Sequence, residues 1–242
     1  MKVSLNKIAG IFTPRRTMMR RIDSLRGAIQ SAENKHVKLT GGLLPTKLAD
    51  ESLFMPKDAG REAVHVPTKP EITVALFDQI RQKMPLPKNI NLIDLGSGLG
   101  SFASSASIYL DHLRATRSHV TGVEISPSVF ADSVRIAKEQ GVSNISYVNG
   151  DFALYTKDDL RPYNMLYIYR PFNENFSDVM DEVFLRTAPG TILITRLCSV
   201  MGILRFDSLF KPVFSPFYEN HGNEYIVYIR TNEEKRPEVV LE

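Results

Sequence analysis

The run Asp94-Leu95-Gly96-Ser97-Gly98-Leu99-Gly100 constrains this chain more than any other feature. It lies between a short apolar stretch, Ile90 to Leu95, and a helix-periodic one carrying Phe102, Ala106, Tyr109, Leu110 and Leu113. A strand that breaks into glycines and re-enters the chain as a helix lets backbone approach a ligand closely at a strand's carboxyl end. The helix beginning near Ser101 adds unpaired N–H groups that suit a negative or polar atom. A glycine trio alone serves dinucleotides, mononucleotides and sulfonium cofactors alike. Two details narrow the choice. The spacing is G-x-G-x-G, so the third glycine of a dinucleotide G-x-G-x-x-G falls on Ser101. The carboxylate of Asp94 just before the loop repels a pyrophosphate and suits an ammonium group.

The flanking chain alternates steadily. Thr68-Lys69-Pro70-Glu71 reads as a capping box with Thr68 as N-cap, opening a helix with Ile72, Ala75, Leu76 and Ile80 on one face and ended by Pro85 and Pro87. Beyond the glycine loop, His119 to Glu124 reads as a strand, and Ser126-Pro127 as the N-cap and first residue of a helix. Ile145 to Val148, Met165 to Tyr169 and Thr191 to Thr195 are further strands, with an amphipathic helix through Phe176, Val179, Met180, Val183 and Phe184. Lys211 to Ser215 and Glu224 to Arg230 flank the turn-rich Tyr218 to Asn223, a hairpin signal. The pattern predicts a doubly wound, mostly parallel α/β sheet covered on both faces and finished by an antiparallel hairpin.

The first fifty residues differ. A helix is predicted from Thr13-Pro14 to about Ala32, with Met18, Ile22, Leu25 and Ile29 at three- and four-residue steps. Gly41-Gly42, Pro45 and Pro56 then punctuate a loop-rich stretch, giving a basic, partly helical extension over 1–60 and a main domain over 61–242. Residues 1–50 hold ten Lys or Arg against three Asp or Glu, a surplus of seven that leaves the rest of this +3 chain four negative. Such asymmetry suits an acidic or phosphate-bearing partner met by Arg15, Arg16, Arg20 and Arg21, although a charge run also serves simply as a solvated face. The Arg-rich, acid-poor start also resembles an organelle transit peptide. A single cysteine, Cys198, excludes an internal disulfide and suits a reducing compartment such as the cytoplasm. No apolar run nears the roughly 20 residues of a membrane span, and no clustered His/Cys set announces a metal.

Three motifs in register resemble those of the class I, Rossmann-like S-adenosylmethionine-dependent methyltransferases: Ile93 to Gly100, then Glu124 in Gly122-Val123-Glu124, then Asp151 in Asn149-Gly150-Asp151-Phe152. With the strand order and terminal hairpin, the resemblance covers about residues 61–235. It implies a seven-stranded sheet and a cofactor held by Thr68, Asp94, Gly96, Ser97, Gly98, Gly100, Glu124, Ile125, Asp151, Phe152 and Tyr169. In that scheme Glu124 accepts both ribose hydroxyls, Asp151 the adenine amino group, and Thr68 with His65 lines one wall.

Tyr169-Arg170-Pro171-Phe172 stands where amino-group methyltransferases carry Asp/Asn-Pro-Pro-aromatic, and only Pro171 and Phe172 match. The run His65-Val66-Pro67-Thr68 resembles small protein-lysine methyltransferases that lack a SET domain. An amine acceptor must lose a proton before attack, and Tyr169 is the candidate for assisting that. The expected activity is methyl transfer to a nitrogen or other nucleophile of a macromolecule, protein or RNA. The alternatives are a non-catalytic S-adenosylmethionine- or nucleic-acid-binding protein on the same fold, and a nicotinamide-dependent oxidoreductase.

Overall fold

The computed structural model describes residues 6–39, 68–113, 117–168, 177–196, 206–215 and 225–231. In chain order the elements are α1 (Asn6–Leu39), α2 (Pro70–Lys83), β1 (Asn89–Leu95), α3 (Ser101–His112), β2 (Arg117–Glu124), α4 (Pro127–Glu139), β3 (Ile145–Asn149), a 3-10 turn (Phe152–Leu154), α5 (Lys157–Leu160), β4 (Met165–Ile168), α6 (Ser177–Leu185), β5 (Ile192–Arg196), α7 (Phe206–Leu209), β6 (Phe210–Phe214) and β7 (Tyr225–Arg230).

The seven strands form one sheet in the order β3-β2-β1-β4-β5-β7-β6. The first five are parallel, and β7 runs antiparallel between β5 and β6. Because the chain moves outward from β1 in both directions, the crevice lies beyond the carboxyl ends of β1, β2 and β4, where the strand order reverses. The predicted α/β sheet with its antiparallel end is present, and the strand bounds agree to within a residue or two. The turn expected over 218–223 and Cys198 lie outside the described residues.

Alternate residues send side chains to opposite faces. Leu92, Val120, Tyr167, Ile194 and Val227 meet α1, α2, α3 and Ile136 of α4 on one face. Ile93, Val123, Leu166, Leu193 and Tyr228 meet α5, α6 and α7 on the other. The first face is two helices deep. Every residue of α3 from Ser101 to Leu110 is buried, because the helix touches the sheet on one side and α1 on the other. Such a helix needs its polar side chains satisfied internally. Ser105 Oγ donates to the Ser101 carbonyl at 2.6 Å, and Ser104 Oγ pairs with Tyr147 at 2.8 Å.

Met18, Ile22, Leu25, Ile29 and Ala32 of α1 are buried in the same core cluster as the sheet. Ion pairs flank that stripe: Arg15 with Asp78 at 2.8 Å, Arg21 with Asp111 at 2.9 Å, and Lys35 with Asp132 at 4.0 Å. Two local expectations are corrected. The helix begins at Asn6 rather than at Thr13-Pro14, so Pro14 lies inside it, and it continues to Leu39 instead of stopping near Ala32. The N-cap of α2 is Lys69, with no side-chain cap. The Thr68 hydroxyl is drawn instead to Tyr167, and Glu71 faces Arg26 of α1 at 3.8 Å.

Candidate functional site

The glycine loop closes over the end of β2. Gly96, Gly98 and Gly100 have φ of +82°, +54° and +78°, the left-handed region in which side chains are strained. This bend lets the Gly96 and Ser97 N–H groups donate to the Val123 carbonyl at 3.0 and 2.8 Å. The Gly98 N–H donates to Glu124 Oε2 at 2.8 Å, and the Ser126 N–H to Glu124 Oε1 at 2.9 Å. Glu124 is thus locked in orientation from both sides. A carboxylate accepts at about four sites, so it keeps acceptor capacity for a ligand's hydroxyl groups. Ser97 Oγ is buried with no hydrogen-bond partner among the described residues.

Asp94 lies under the first turn of α3, 2% exposed. Its carboxylate takes the Ala103 N–H, a helix-end donor that the N-cap Gly100 has no side chain to satisfy. Burial first, and the negative charge of Glu124 second, hold its carboxyl well above the usual carboxylate range, while the Ala103 bond opposes them. By position in the sequence, Asp94 suits an ammonium group. The partner the fold gives it is the end of its own neighbouring helix.

Tyr147 of β3, which belongs to none of the three sequence motifs, supports the loop from below. It stands opposite Gly122 in the β2–β3 register, and a Cβ on Gly122 would lie 2.5 Å from its ring. A Cβ on Gly100 would lie 2.0 Å from its hydroxyl oxygen. That hydroxyl donates to the Gly100 carbonyl at 3.4 Å and pairs with Ser104 Oγ at 2.8 Å. The signal that could reveal it is an aromatic residue directly across from a strand glycine, a pairing in which the ring fills the space the glycine leaves.

On the β3 side, Asp151 N-caps the 3-10 turn by accepting the Ala153 N–H at 2.9 Å. That turn sets the Phe152 ring 3.9 Å from where a Gly96 Cβ would be, so the loop and the ring face each other across the missing side chain. Ile125 is 40% exposed beside them. Together these residues offer acceptor carboxylates next to apolar surface, a combination that suits a ribose and a flat heteroaromatic ring.

At the β4 side, three buried hydroxyls converge. Thr68 Oγ1 bonds Tyr167, lies 3.4 Å from the Tyr225 hydroxyl, and its carbonyl accepts from Ser101 Oγ. The Tyr167 ring stacks on Phe102 at 3.4 Å between centroids. The cluster therefore ties α2, α3, β4 and β7 together at the carboxyl edge. Tyr169, Arg170, Pro171, Phe172 and His65 lie outside the described residues. Of the four arginines expected to meet a partner, Arg15 and Arg21 are held by Asp78 and Asp111. Arg16 and Arg20 are exposed, one helical turn apart, with no ion pair among the described residues. No group of three or more His, Cys, Asp or Glu positioned to hold a metal occurs among the described residues, and no described helix is long and apolar enough to cross a membrane.

No protein-family model matches the sequence, and no curated protein matches it. Solved structures do. An RNA methyltransferase from Salinibacter ruber, in complex with S-adenosyl-L-homocysteine, is 22% identical with a TM-score of 0.51, over 73% of this chain and 100% of that one. A Listeria monocytogenes protein described as a class I S-adenosylmethionine-dependent methyltransferase is 13% identical with a TM-score of 0.57, over 89% of this chain and 70% of that one. The fold is that of the class I S-adenosylmethionine-dependent methyltransferases.

Proposed function

We propose that the protein is an S-adenosylmethionine-dependent methyltransferase acting on a nitrogen of a macromolecule. The observation that carries this reading is Glu124, a carboxylate oriented by the glycine loop's own N–H and by the start of α4, with acceptor sites to spare. The pair of ribose hydroxyls in the adenosyl group suits it, and Phe152 with Ile125 suits the adenine ring. Asp151 and the Gly96 to Gly100 backbone complete the set, with the Phe152 ring facing the loop across Gly96. The bound cofactor supplies an electrophilic methyl group. The protein's part is to hold the acceptor in line and keep water out, which is most of what such a displacement requires. Thr68, Tyr167 and Tyr225 furnish hydroxyls at the acceptor end, and Tyr169, next along the chain from β4, is the candidate for taking an amine proton.

RNA is the macromolecule that best fits the exposed Arg16 and Arg20, since a phosphate backbone meets guanidinium groups without requiring a particular sequence. Titration with S-adenosyl-L-homocysteine tests the cofactor, and absence of binding at millimolar concentration would sink the reading. Tritiated methyl transfer into fractionated lysate tests the acceptor. Label is expected in RNA and is expected to fall in the Arg16→Glu/Arg20→Glu protein. Label confined to protein would redirect the proposal to a polypeptide acceptor. Retained cofactor affinity with no transfer to any fraction would favour a non-catalytic cofactor-binding protein.

A further inference from the structure

We infer that Tyr147 is a positioning residue of the glycine loop, setting where the Gly98 to Gly100 backbone rests and thereby the affinity for the adenosyl cofactor. The inference rests on the cofactor reading above. Tyr147 is on the edge strand β3, yet its ring crosses Gly122 of β2, and its hydroxyl reaches the turn between β1 and α3. The phenol oxygen shares a 2.8 Å bond with Ser104 Oγ, in which either hydroxyl can be the donor, and reaches the Gly100 carbonyl at a longer 3.4 Å. The Gly100 carbonyl also takes the Ser104 N–H at 2.8 Å, so loop, helix and tyrosine close a ring of bonds around one carbonyl.

The phenol is fixed from three sides. A Cβ on Gly122 would lie 2.5 Å from its ring, and a Cβ on Gly100 would lie 2.0 Å from its hydroxyl oxygen. Its closest hydroxyl partner, Ser104, belongs to a helix with no exposed face over Ser101 to Leu110. Any shift of the Gly98 to Gly100 backbone toward the sheet is therefore stopped by the ring, and any shift away stretches the Gly100 bond. Burial holds the phenol above its ordinary range, with the Asp94 charge adding to this and the Ser104 bond opposing it. The hydroxyl therefore stays a neutral donor at physiological pH. The neighbouring Gly98 N–H orients Glu124, so the height of the loop is transmitted to the carboxylate expected to meet the ribose.

The test uses the full chain with the variants Tyr147→Phe, Ser104→Ala and the double mutant. Each is measured three ways: S-adenosyl-L-homocysteine affinity, unfolding midpoint without ligand, and amide exchange of residues 98–104 and of the sheet without ligand. Removing one or two neutral hydrogen bonds is expected to weaken binding about three- to tenfold. The unfolding midpoint of Tyr147→Phe is expected to fall modestly, because the buried Ser104 Oγ loses its tyrosine partner. Exchange at Gly98 and Gly100 is expected to quicken more than exchange in the sheet, and Ser104→Ala to add little once Tyr147 is Phe. Unchanged affinity and exchange in Tyr147→Phe would overturn the inference. So would an affinity loss with exchange quickened evenly across the sheet rather than at residues 98–104, which would make Tyr147 merely structural. If the wild-type protein itself did not bind S-adenosyl-L-homocysteine, the cofactor reading would fail. Ligand-free exchange would still decide whether Tyr147 holds the loop.

Discussion

Glu124 and Gly98, 26 positions apart, are joined by a backbone N–H donated to a carboxylate oxygen at 2.8 Å, inside a loop that only left-handed glycines can form. The loop therefore orients the carboxylate, and the carboxylate in turn holds the loop. Glu124→Gln keeps one acceptor oxygen but turns an amide N–H₂ toward an N–H donor. That variant, and Glu124→Ala, are expected to lose about ten- to a hundredfold in S-adenosyl-L-homocysteine affinity, the range for a hydrogen bond to a charged group. Calorimetric titration reads this directly, and wild-type affinity in either variant would remove Glu124 from the site.

Asp94 gives the fold a pH dependence whose sign is fixed by its surroundings. Burial and the Glu124 charge raise its carboxyl in the folded protein above the unfolded value, so the folded state binds the proton more tightly. The stability this provides is complete below the unfolded value of about 3.9. It is lost as pH rises through the raised folded value. Asp94→Asn keeps an oxygen for the Ala103 N–H and never ionises. Urea unfolding from about pH 5 to about pH 8 should show Asp94→Asn gaining on wild type as pH rises. Parallel profiles would mean that the carboxyl is not strained by its site.

Gly122 lies on an ordinary strand, so replacing it tests packing alone. A methyl group there would meet the Tyr147 ring at 2.5 Å and Ser97 Oγ at 2.9 Å, so the half-buried ring or the loop has to shift. Gly122→Ala is expected to destabilise by about 1–3 kcal/mol, the usual cost of overpacking. Combining it with Tyr147→Leu should cost less than the sum of the two changes. Calorimetric unfolding of the three variants checks this, and simple additivity would contradict a shared space.

The sheet and the carboxyl-edge motifs are legible in the sequence because they rest on local chemistry. Short apolar runs alternate with amphipathic ones, and glycines stand where backbone has to turn. The features that are not legible depend on partners distant in sequence. Thr68 with Glu71 has every local mark of a capping box, yet its hydroxyl answers to Tyr167, 99 residues away. Nothing local to Ser101, Ser104 and Ser105 reveals that α1 covers their helix, and all three find their partners inside. Tyr147 reads as an ordinary strand residue because its significance depends on Gly122 lying opposite.

The placement of α1 yields the sharpest test of how the chain is divided. A stripe from Met18 to Ala32 is buried in the core it shares with the sheet, which argues that α1 unfolds with the main domain rather than as a separate extension. Gly27 sits mid-helix and exposed, and a methyl group added there would have nothing within 4 Å. Gly27→Ala should therefore stabilise by about 0.5–1 kcal/mol through helix propensity alone. Leu25, fully buried, should cost about 2–5 kcal/mol when cut to alanine. Both effects are expected in one cooperative transition, seen alike by far-ultraviolet circular dichroism and by tyrosine fluorescence. A Gly27→Ala protein whose main transition does not move, with a separate early transition that does, would make α1 an independent unit resting on the domain.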